Sequence, residues 1–295
     1  MPELPEVEAL AGFLRERLVG RVVDSVEIGA ISALKTYDPQ PGALRGLSVT
    51  ALHRHGKFID LDADGLHLIF HLARGGWLRW NDTAVKTMLK PGKSPLALRV
   101  RFTPRLDDED DESTPGFDLT EAGTKKRLAI YVVKAPGQVP GIATLGPDPL
   151  AESFTQEVFA GILRGQRQQI KGLLRDQSVI AGVGNAYSDE VLHVARMSPF
   201  AIAAKLDDEQ VGTLYEALQN TLRSAVSAAS GKPAKELKDA KRAGLAVHAR
   251  TGQECPVCGD VVREVSFADS SLQYCATCQT GGKVLADRRM SRLLK

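Results

Sequence analysis

The sequence predicts an α+β protein of several domains, and three observations support this prediction. An amphipathic helical pattern at the N-terminus is followed by short, alternating, β-branched segments. The pattern becomes predominantly helical after Gly146, and all four cysteines lie in the C-terminal part. With 295 residues, of which 43% are hydrophobic and 25% charged, the chain is long enough for more than one globular core. We therefore expect a helix with a β-sandwich or barrel, then a helical domain, then a small cysteine-rich hairpin.

The first helix is predicted to begin near Pro5, because proline suits the first turn of a helix. Gly20 can end it. Between them, apolar residues recur at helical spacing and form one stripe: Val7, Leu10, Leu14 and Leu18.

Six short segments with strand-like alternation follow the first helix. Asp64-Gly65 is a strong hairpin turn between two of them. The predicted strands are 21–28, 48–53, 57–62, 66–72, 96–103 and 127–133. The acidic run Asp107–Glu112 is interpreted as a solvated loop between strands.

Gly146-Pro147-Asp148-Pro149 is interpreted as a linker. Beyond it, helical patterns are predicted at 154–163, 168–174, 188–195 and 207–229. The predicted domains are 1–146 (catalytic β domain), 147–152 (linker), 153–242 (helical domain) and 243–295 (metal-binding finger and basic tail).

The N-terminal Met1-Pro2-Glu3 offers a candidate catalytic group. Removal of Met1 would leave Pro2 with a secondary amine, and α-amino groups titrate near about 7.7–8.0. Such an amine can attack a sugar carbon and form an iminium ion. The positive end of the first helix disfavours the protonated amine, and Glu3 can donate a proton. The competing interpretation is an ordinary Met-Pro start followed by a solvated glutamate.

Four cysteines form two CxxC pairs, and 16 residues separate the pairs: Cys255, Cys258, Cys275 and Cys278. This spacing is typical of a four-thiolate zinc site on a β-hairpin. Two disulfides or a redox pair are the alternatives. A cytoplasmic setting disfavours disulfides, and a redox motif needs no second copy. Four thiolates leave zinc no open coordination position, so the predicted ion, one per chain, is structural.

The formal net charge of +2 hides an uneven distribution. Six of the 36 acids lie in the run Asp107–Glu112, and the C-terminal part is rich in Lys and Arg. A basic C-terminal part indicates a polyanionic partner. No apolar run reaches the length of a membrane span, and the N-terminus lacks the organisation of a signal peptide, so we expect a cytoplasmic protein without membrane association.

Two further motifs carry weak signals on their own. The turn Gly182–Asn185 precedes a helical pattern and could present backbone N–H groups to a phosphate, although an ordinary helix corner would explain it equally well. His55-Gly56-Lys57 precedes a strand and could project Lys57 toward a cleft, although a surface lysine is the simpler interpretation.

Taken together, these motifs resemble the formamidopyrimidine/endonuclease VIII class of DNA glycosylases. The resemblance rests on PELPEVE at the N-terminus, HGK before a strand, DQSVIAGVGNAYSDEVL, and CxxC…CxxCQ near the C-terminus. It covers essentially the whole chain. It implies a β-sandwich, a helix–two-turn–helix domain and a zinc-finger β-hairpin, with damaged duplex DNA bound in a basic cleft. The expected protein is a bacterial-type, nucleoid-associated monomer.

The resemblance also implies roles for individual residues. Pro2 would attack C1′ of the sugar and form a Schiff base, Glu3 would act as proton donor, and Lys57 would assist β-elimination. Glu6 joins these as a catalytic residue. The implied DNA contacts are Asn185, His71, Arg74, Arg250 and Lys171.

Several positions depart from the family pattern. Ser270 stands where the family usually has an arginine at the tip of the finger hairpin. Arg74 replaces the methionine that fills the gap left by a flipped base. Thr124–Arg127 stands near the place of the usual partner wedge, and the segment before the finger is short. Lesion specificity therefore does not transfer, and a catalytically weak DNA-binding protein on the same scaffold is the alternative function. A zinc-ribbon RNA-binding protein is disfavoured, because it would have no use for the N-terminal PELPE.

Overall fold

The computed structural model describes residues 1–83, 87, 89, 95–105, 113–267 and 270–286. The predicted acidic loop Asp107–Glu112 lies outside the described residues. Two compact units are present: residues 1–144 with 229–239, and residues 145–228 with 240–295. The sequence-predicted domain bounds stay predictions.

Helix α1 spans Leu4–Leu18 and confirms the first predicted helix. Its apolar stripe is buried, with Leu4, Leu14 and Leu18 each 0% exposed. The helix stops where Gly20 adopts a φ of +86°, a conformation that side chains with a Cβ rarely take. Burial of this stripe against the strands fixes the N-terminal helix to the first unit.

Eight strands of the first unit form two four-stranded antiparallel sheets. One sheet has the order β1-β6-β7-β5, and the other has the order β2-β3-β4-β8. The strands are β1 Val23–Ile28, β2 Val49–His55, β3 Phe58–Ala63, β4 Leu66–His71, β5 Gly76–Asn81, β6 Leu96–Phe102, β7 Gly116–Glu121 and β8 Ala129–Val133.

The sheets share one apolar core with α1, as a sandwich requires. On β3, Ile59 and Leu61 point into this core. Alternate residues of β3 lie on the other face, and there Asp60 accepts bonds from two histidine rings at 3.0 and 2.9 Å. The two-residue alternation thus places the buried Asp60 on the face opposite the shared core, where Phe58 packs against a second apolar cluster.

The sequence did not predict strands β5 and β7. β7 contains Asp118, a residue depleted in strands, yet Asp118 forms a buried two-point ion pair with Arg99 of β6 at 2.7 and 3.0 Å. The charge is tolerated because its partner lies on the neighbouring strand.

The second unit contains most of the helical part of the chain. The short helix α2, Pro140–Ala143, still belongs to the first unit. The helices of the second unit are α3 Gln156–Leu163, α4 Ile170–Arg175, α5 Asn185–Val194 and α6 Asp208–Ala229. Helix α6 ends at the unit boundary. The four predicted helical segments are confirmed within a few residues at their ends. Tyr215 of α6 donates to the Phe154 carbonyl at 3.0 Å and packs on Phe159.

Helix α7, Leu237–Gly244, lies in the short basic segment before the cysteines. The sequence did not predict this helix. The finger follows as β9 Val262–Ser266, β10 Ser271–Cys275 and α8 Ala276–Thr280. Strands β9 and β10 pair antiparallel, with Ser266 opposite Ser271. Within the described residues, no helix has the length and apolar character needed to span a bilayer.

Candidate functional site

The N-terminal residues are packed into the first unit. Pro2 is buried, whereas Met1 before it is 49% exposed. The Glu3 backbone N–H donates to Glu6 Oε2 at 2.8 Å, and both glutamates are 3% exposed. Chain ends normally fray unless they are tied down. Here Glu6 ties the backbone at Glu3 and so positions the residue that precedes it.

An ion pair joins α1 to the turn that carries Lys57. Arg54 Nε lies 2.6 Å from Glu8 Oε2, and Arg54 Nη1 donates to the Gly56 carbonyl at 3.3 Å. Gly56 adopts a φ of +56°, which the tight β2–β3 turn requires. The same arginine therefore holds both α1 and the backbone immediately before Lys57.

Lys57 and His71 are electrostatically coupled. Lys57 is 7% exposed, and its neighbour Phe58 pairs with His71 across β3 and β4. Burial, and secondarily the positive charge of Lys57, lowers the pKa of His71 from 6.5 to about 4. His71 is therefore neutral at pH 7. Its Nδ1 accepts the Ala73 N–H at 3.2 Å, so its proton resides on Nε2, which can donate.

Arg74 lies on an exposed turn between β4 and β5. Ala73 adopts a left-handed φ of +51°, and the Gly76 N–H donates to the Leu72 carbonyl at 2.9 Å. The Ala122 N–H donates to the Gly75 carbonyl at 3.0 Å, which joins this turn to the loop 122–128. That loop exposes Lys125, Lys126 and Arg127. The two loops together form a basic surface.

Asn185 lies in the second unit, as the first residue of α5. Its Nδ2 donates to the Ser271 carbonyl at 2.8 Å. The preceding turn is shaped by Gln177, whose side chain accepts from Gly182 N–H at 3.0 Å and donates to the Val183 carbonyl at 2.7 Å. The start of α5 is thus bonded to the finger hairpin, beside Ser270.

The assignment of Lys171 to the DNA contacts does not fit its placement. Lys171 is 4% exposed. Its Nζ donates to the Asn185 carbonyl at 3.2 Å, Ser188 Oγ at 2.8 Å and Asp189 Oδ1 at 2.6 Å. These contacts use all three N–H donors of an ammonium group. Lys171 therefore stabilises the first turn of α5. A direct contact with a phosphate would break these buried hydrogen bonds.

Arg250, a predicted DNA contact, and Ser270, which replaces the family's arginine, both lie beside the finger. Arg250 is partly buried, and its Nη1 donates to the Leu245 carbonyl at 3.1 Å. Its role as a DNA contact stays a prediction. Ser270 immediately precedes β10, at the hairpin turn, and its carbonyl accepts the Phe267 N–H at 2.7 Å.

The four cysteines fit a zinc ion. Their sulfur atoms all lie within 4.8 Å of one another, with Cys255–Cys278 at 3.9 Å and Cys258–Cys275 at 3.4 Å. Tetrahedral coordination at about 2.3 Å places sulfur atoms about 3.8 Å apart. The sequence-predicted ligands therefore converge on one metal site.

Two side chains brace the finger. Asp260 accepts from the Thr277 hydroxyl at 2.9 Å and so links the two CxxC turns. Gln279 accepts the Cys275 N–H at 2.9 Å and donates to the Met197 carbonyl at 3.0 Å. The glutamine of the CxxCQ motif thus joins the finger to the chain after α5.

Sequence reasoning missed the side chains that hold these groups in place. Besides Arg54 and Glu8, they include Glu190, whose carboxylate accepts three consecutive backbone N–H groups, from Ala246, Val247 and His248, at 2.8–3.0 Å. Burial raises the pKa of Glu190 against the lowering effect of these bonds. Only the adjacent acids Asp189 and Glu190 inside a helical pattern could have signalled such a role.

Three family models match the chain. They are the N-terminal domain of formamidopyrimidine-DNA glycosylase at residues 1–115, its H2TH domain at residues 145–235, and the zinc finger found in that enzyme and in IleRS at residues 252–281. Together they define a zinc-finger DNA glycosylase architecture.

Individual proteins show the same likeness. A formamidopyrimidine-DNA glycosylase of Symbiobacterium thermophilum is 33% identical over 98% of this chain and 93% of its own length. An uncharacterized formamidopyrimidine-DNA glycosylase-like protein of Mycobacterium tuberculosis is 61% identical over 151 residues, which are 51% of this chain and 94% of that protein. The Lactococcus lactis enzyme, solved noncovalently bound to DNA with an abasic site, matches with a TM-score of 0.77 and 25% identity over 94% of this chain and 99% of its own. The chain belongs to the formamidopyrimidine-DNA glycosylase family.

The first prediction concerns the metal. Chelation, or the substitution Cys275→Ser, should remove one zinc ion per chain and disorder the finger, because folding of such modules depends on metal binding. Metal analysis and circular dichroism would measure this. Lys283→Ala, an exposed change in the same unit, should retain the ion. Absence of zinc from freshly purified native protein would contradict the assignment.

The second prediction concerns His71. Its native pKa is about 4, against an ordinary value of 6.5, so the unfolded chain binds a proton that the native site excludes. Stability should therefore fall as the pH drops from 6.5 toward about 4. His71→Gln should lose less stability over this window, as measured by thermal unfolding against pH. The exposed-site control His53→Gln should follow the wild type. An H71Q curve parallel to wild type would disprove the lowered pKa of His71.

Proposed function

We propose that this protein is a base-excision-repair DNA glycosylase that also cleaves abasic sites. The observation that carries the proposal is a buried N-terminal proline whose following residue is anchored by Glu6. Membership of the formamidopyrimidine-DNA glycosylase family supports the same function. The relatives include an enzyme solved with abasic-site DNA.

In the proposed reaction, Met1 is removed and the Pro2 nitrogen attacks C1′ of a damaged nucleotide. The N–C1′ bond forms as the glycosidic bond breaks, and the base leaves with a proton. Protonation of O4′ then breaks the C1′–O4′ bond, which opens the sugar ring and leaves an iminium ion between Pro2 and C1′. This iminium ion acidifies the C2′ hydrogen. Loss of that proton expels the 3′ phosphate by β-elimination, and hydrolysis of the imine releases the enzyme.

Glu3 is the proposed proton donor during base departure, and Glu6 is the residue that fixes Glu3. Lys57 is the proposed partner of the phosphate and of the elimination step. It is held in place by the turn that Arg54 anchors. Neutral His71 offers its Nε2–H to the DNA backbone, which needs a donor rather than an acceptor.

The second unit supplies the remaining proposed DNA contacts. The α5 start at Asn185 combines a helix N-terminus with a side-chain amide, both suited to a phosphate. Arg250 is the proposed cationic contact of the same unit. The zinc finger has a structural role, because its four thiolates complete the coordination of the metal. Ser270 supplies no positive charge at the hairpin tip, so we propose that the lyase reaction stops mainly at β-elimination.

The proposed partner is damaged DNA, bound by a monomer at the bacterial nucleoid in the cytoplasm. The basic loops and the DNA-bound relative support this placement. A protein that binds damaged DNA without cutting it is the alternative outcome of the following test.

The third prediction tests the nucleophile. A variant that keeps Met1 or carries an N-terminal tag has an amide nitrogen in place of the amine, and an amide cannot form an iminium ion. We expect such a variant to lose strand cleavage at an abasic site in a gel assay while still binding the same duplex. A C-terminally tagged protein is the matched control. Undiminished cleavage by the N-terminally blocked protein would exclude Pro2, and absence of cleavage by the control would favour the DNA-binding alternative.

The fourth prediction concerns the lesion. Arg74 stands on an exposed turn beside a basic loop, and a guanidinium fills an apolar gap in the DNA stack less well than a thioether. Base flipping costs a few kcal/mol, least at weakly paired sites. Abasic sites, oxidised pyrimidines, hydantoins and lesions in single strands should therefore be processed faster than 8-oxoguanine paired with cytosine.

Single-turnover rates on matched oligonucleotides would measure this preference. Arg74→Met should narrow the difference by raising the rate on 8-oxoguanine opposite cytosine. Arg45→Met, an exposed arginine in the same unit, should leave the preference unchanged. If the wild type removes 8-oxoguanine opposite cytosine fastest, the assignment of specificity to Arg74 is wrong.

A further inference from the structure

Helix α5 presents a series of polar side chains to the finger and to the segment that leads into it. They are spaced by four, one and three residues, which places them along one flank of the helix. Each makes a bond outside α5: Asn185, Asp189, Glu190 and His193. His193 is the member of this series that touches a metal ligand.

His193 Nε2 lies 3.3 Å from Cys255 Sγ. The histidine is 4% exposed and the cysteine is 2% exposed, so the contact excludes solvent. A zinc-bound cysteine is a thiolate, which accepts and cannot donate. The imidazole nitrogen that faces it must therefore carry a proton and donate it to the sulfur.

The charge of the finger gives this bond a function. One Zn²⁺ with four thiolates has a net charge of −2, and Cys255 lies at the buried side of the cluster. A buried charge is costly unless nearby donors compensate it. Donors in the outer shell of a metal site orient the ligands and hold the metal. His193 supplies such a donor from helix α5, which is not part of the finger.

The opposite end of α5 is also bonded to the finger. Asn185 Nδ2 donates to the Ser271 carbonyl, at the start of the hairpin strand β10. Asn185 and His193 are eight positions apart in the α-helix, a rise of about 12 Å. The finger is therefore attached to α5 at its thiolate cluster and again at its hairpin.

We propose that His193 is a positioning residue of the zinc site. It donates Nε2–H to the Cys255 thiolate, stabilises the bound metal and fixes the finger hairpin against Asn185. Zinc retention follows from the geometry within the second unit and does not depend on the glycosylase reaction. The consequence for Asn185 rests on the proposed DNA-binding role of that residue.

The test compares two substitutions of similar size. His193→Phe keeps a ring in the buried position but has no donor, and His193→Gln keeps an N–H near the position of Nε2. We expect H193F to lower zinc affinity by about 10- to 100-fold in competition with a chromogenic chelator. H193Q should stay close to wild type. Val191→Ala, a buried change on the same helix, controls for loosened packing and should also keep its zinc.

Cobalt substitution gives an independent reading of the hydrogen bond. An N–H donor lowers the energy of the sulfur lone pairs, so its removal should shift the thiolate-to-cobalt charge-transfer band to longer wavelength in H193F. The band should be restored in H193Q. If H193F does not fold, His193→Met, which fills irregular space without a donor, replaces it.

Three results would overturn the proposal: wild-type zinc affinity and spectrum in the variant without a donor, failure of H193Q to restore them, or an equal loss in V191A. DNA affinity, measured on a noncleavable abasic analogue, should fall in H193F and not in H193Q. Weakened zinc binding in H193F with unchanged DNA affinity would support the role of His193 at the metal and count against the proposed DNA-binding role of Asn185.

Discussion

The proposed chemistry depends on holding the free end of a polypeptide still. The Glu6 carboxylate accepts the Glu3 N–H at 2.8 Å, and α1 buries its apolar stripe against the sandwich. Arg54 then joins Glu8 of α1 to the backbone before Lys57. A terminal amine can serve as a positioned nucleophile only because these bonds replace the freedom that a chain end normally keeps.

Local patterns in the sequence predicted much of the fold. The α1 stripe and the Asp64-Gly65 turn depend on neighbours within a few residues, so their periodicity and turn chemistry were sufficient. Strand β7 was missed because Asp118 is unfavourable in a strand until Arg99 pairs with it across 19 positions. Helix α7 was missed because polar, basic residues conceal its few buried contacts, of which Leu237 is the clearest.

Some residues of the candidate site could also be identified from the sequence, and others could not. The Pro2-Glu3 start and the cysteine spacing could be recognised because their chemistry is written in adjacent or regularly spaced residues. Lys171 was included among the DNA contacts with the family resemblance, and nothing in its sequence neighbourhood marked it as buried. Its burial against Asp189 depends on a fold in which the residues lie 18 positions apart. His193 gave no signal at all, since Cys255 is 62 positions away.

The central claim is that the Pro2 nitrogen becomes covalently attached to the sugar. Incubation with an abasic-site duplex and sodium borohydride, followed by proteolysis and mass spectrometry, tests it directly. The account predicts a reduced adduct confined to the N-terminal peptide, on Pro2 in protein that has lost Met1. An adduct on Lys57 or another lysine, or no adduct in a protein that cleaves the strand, would contradict it.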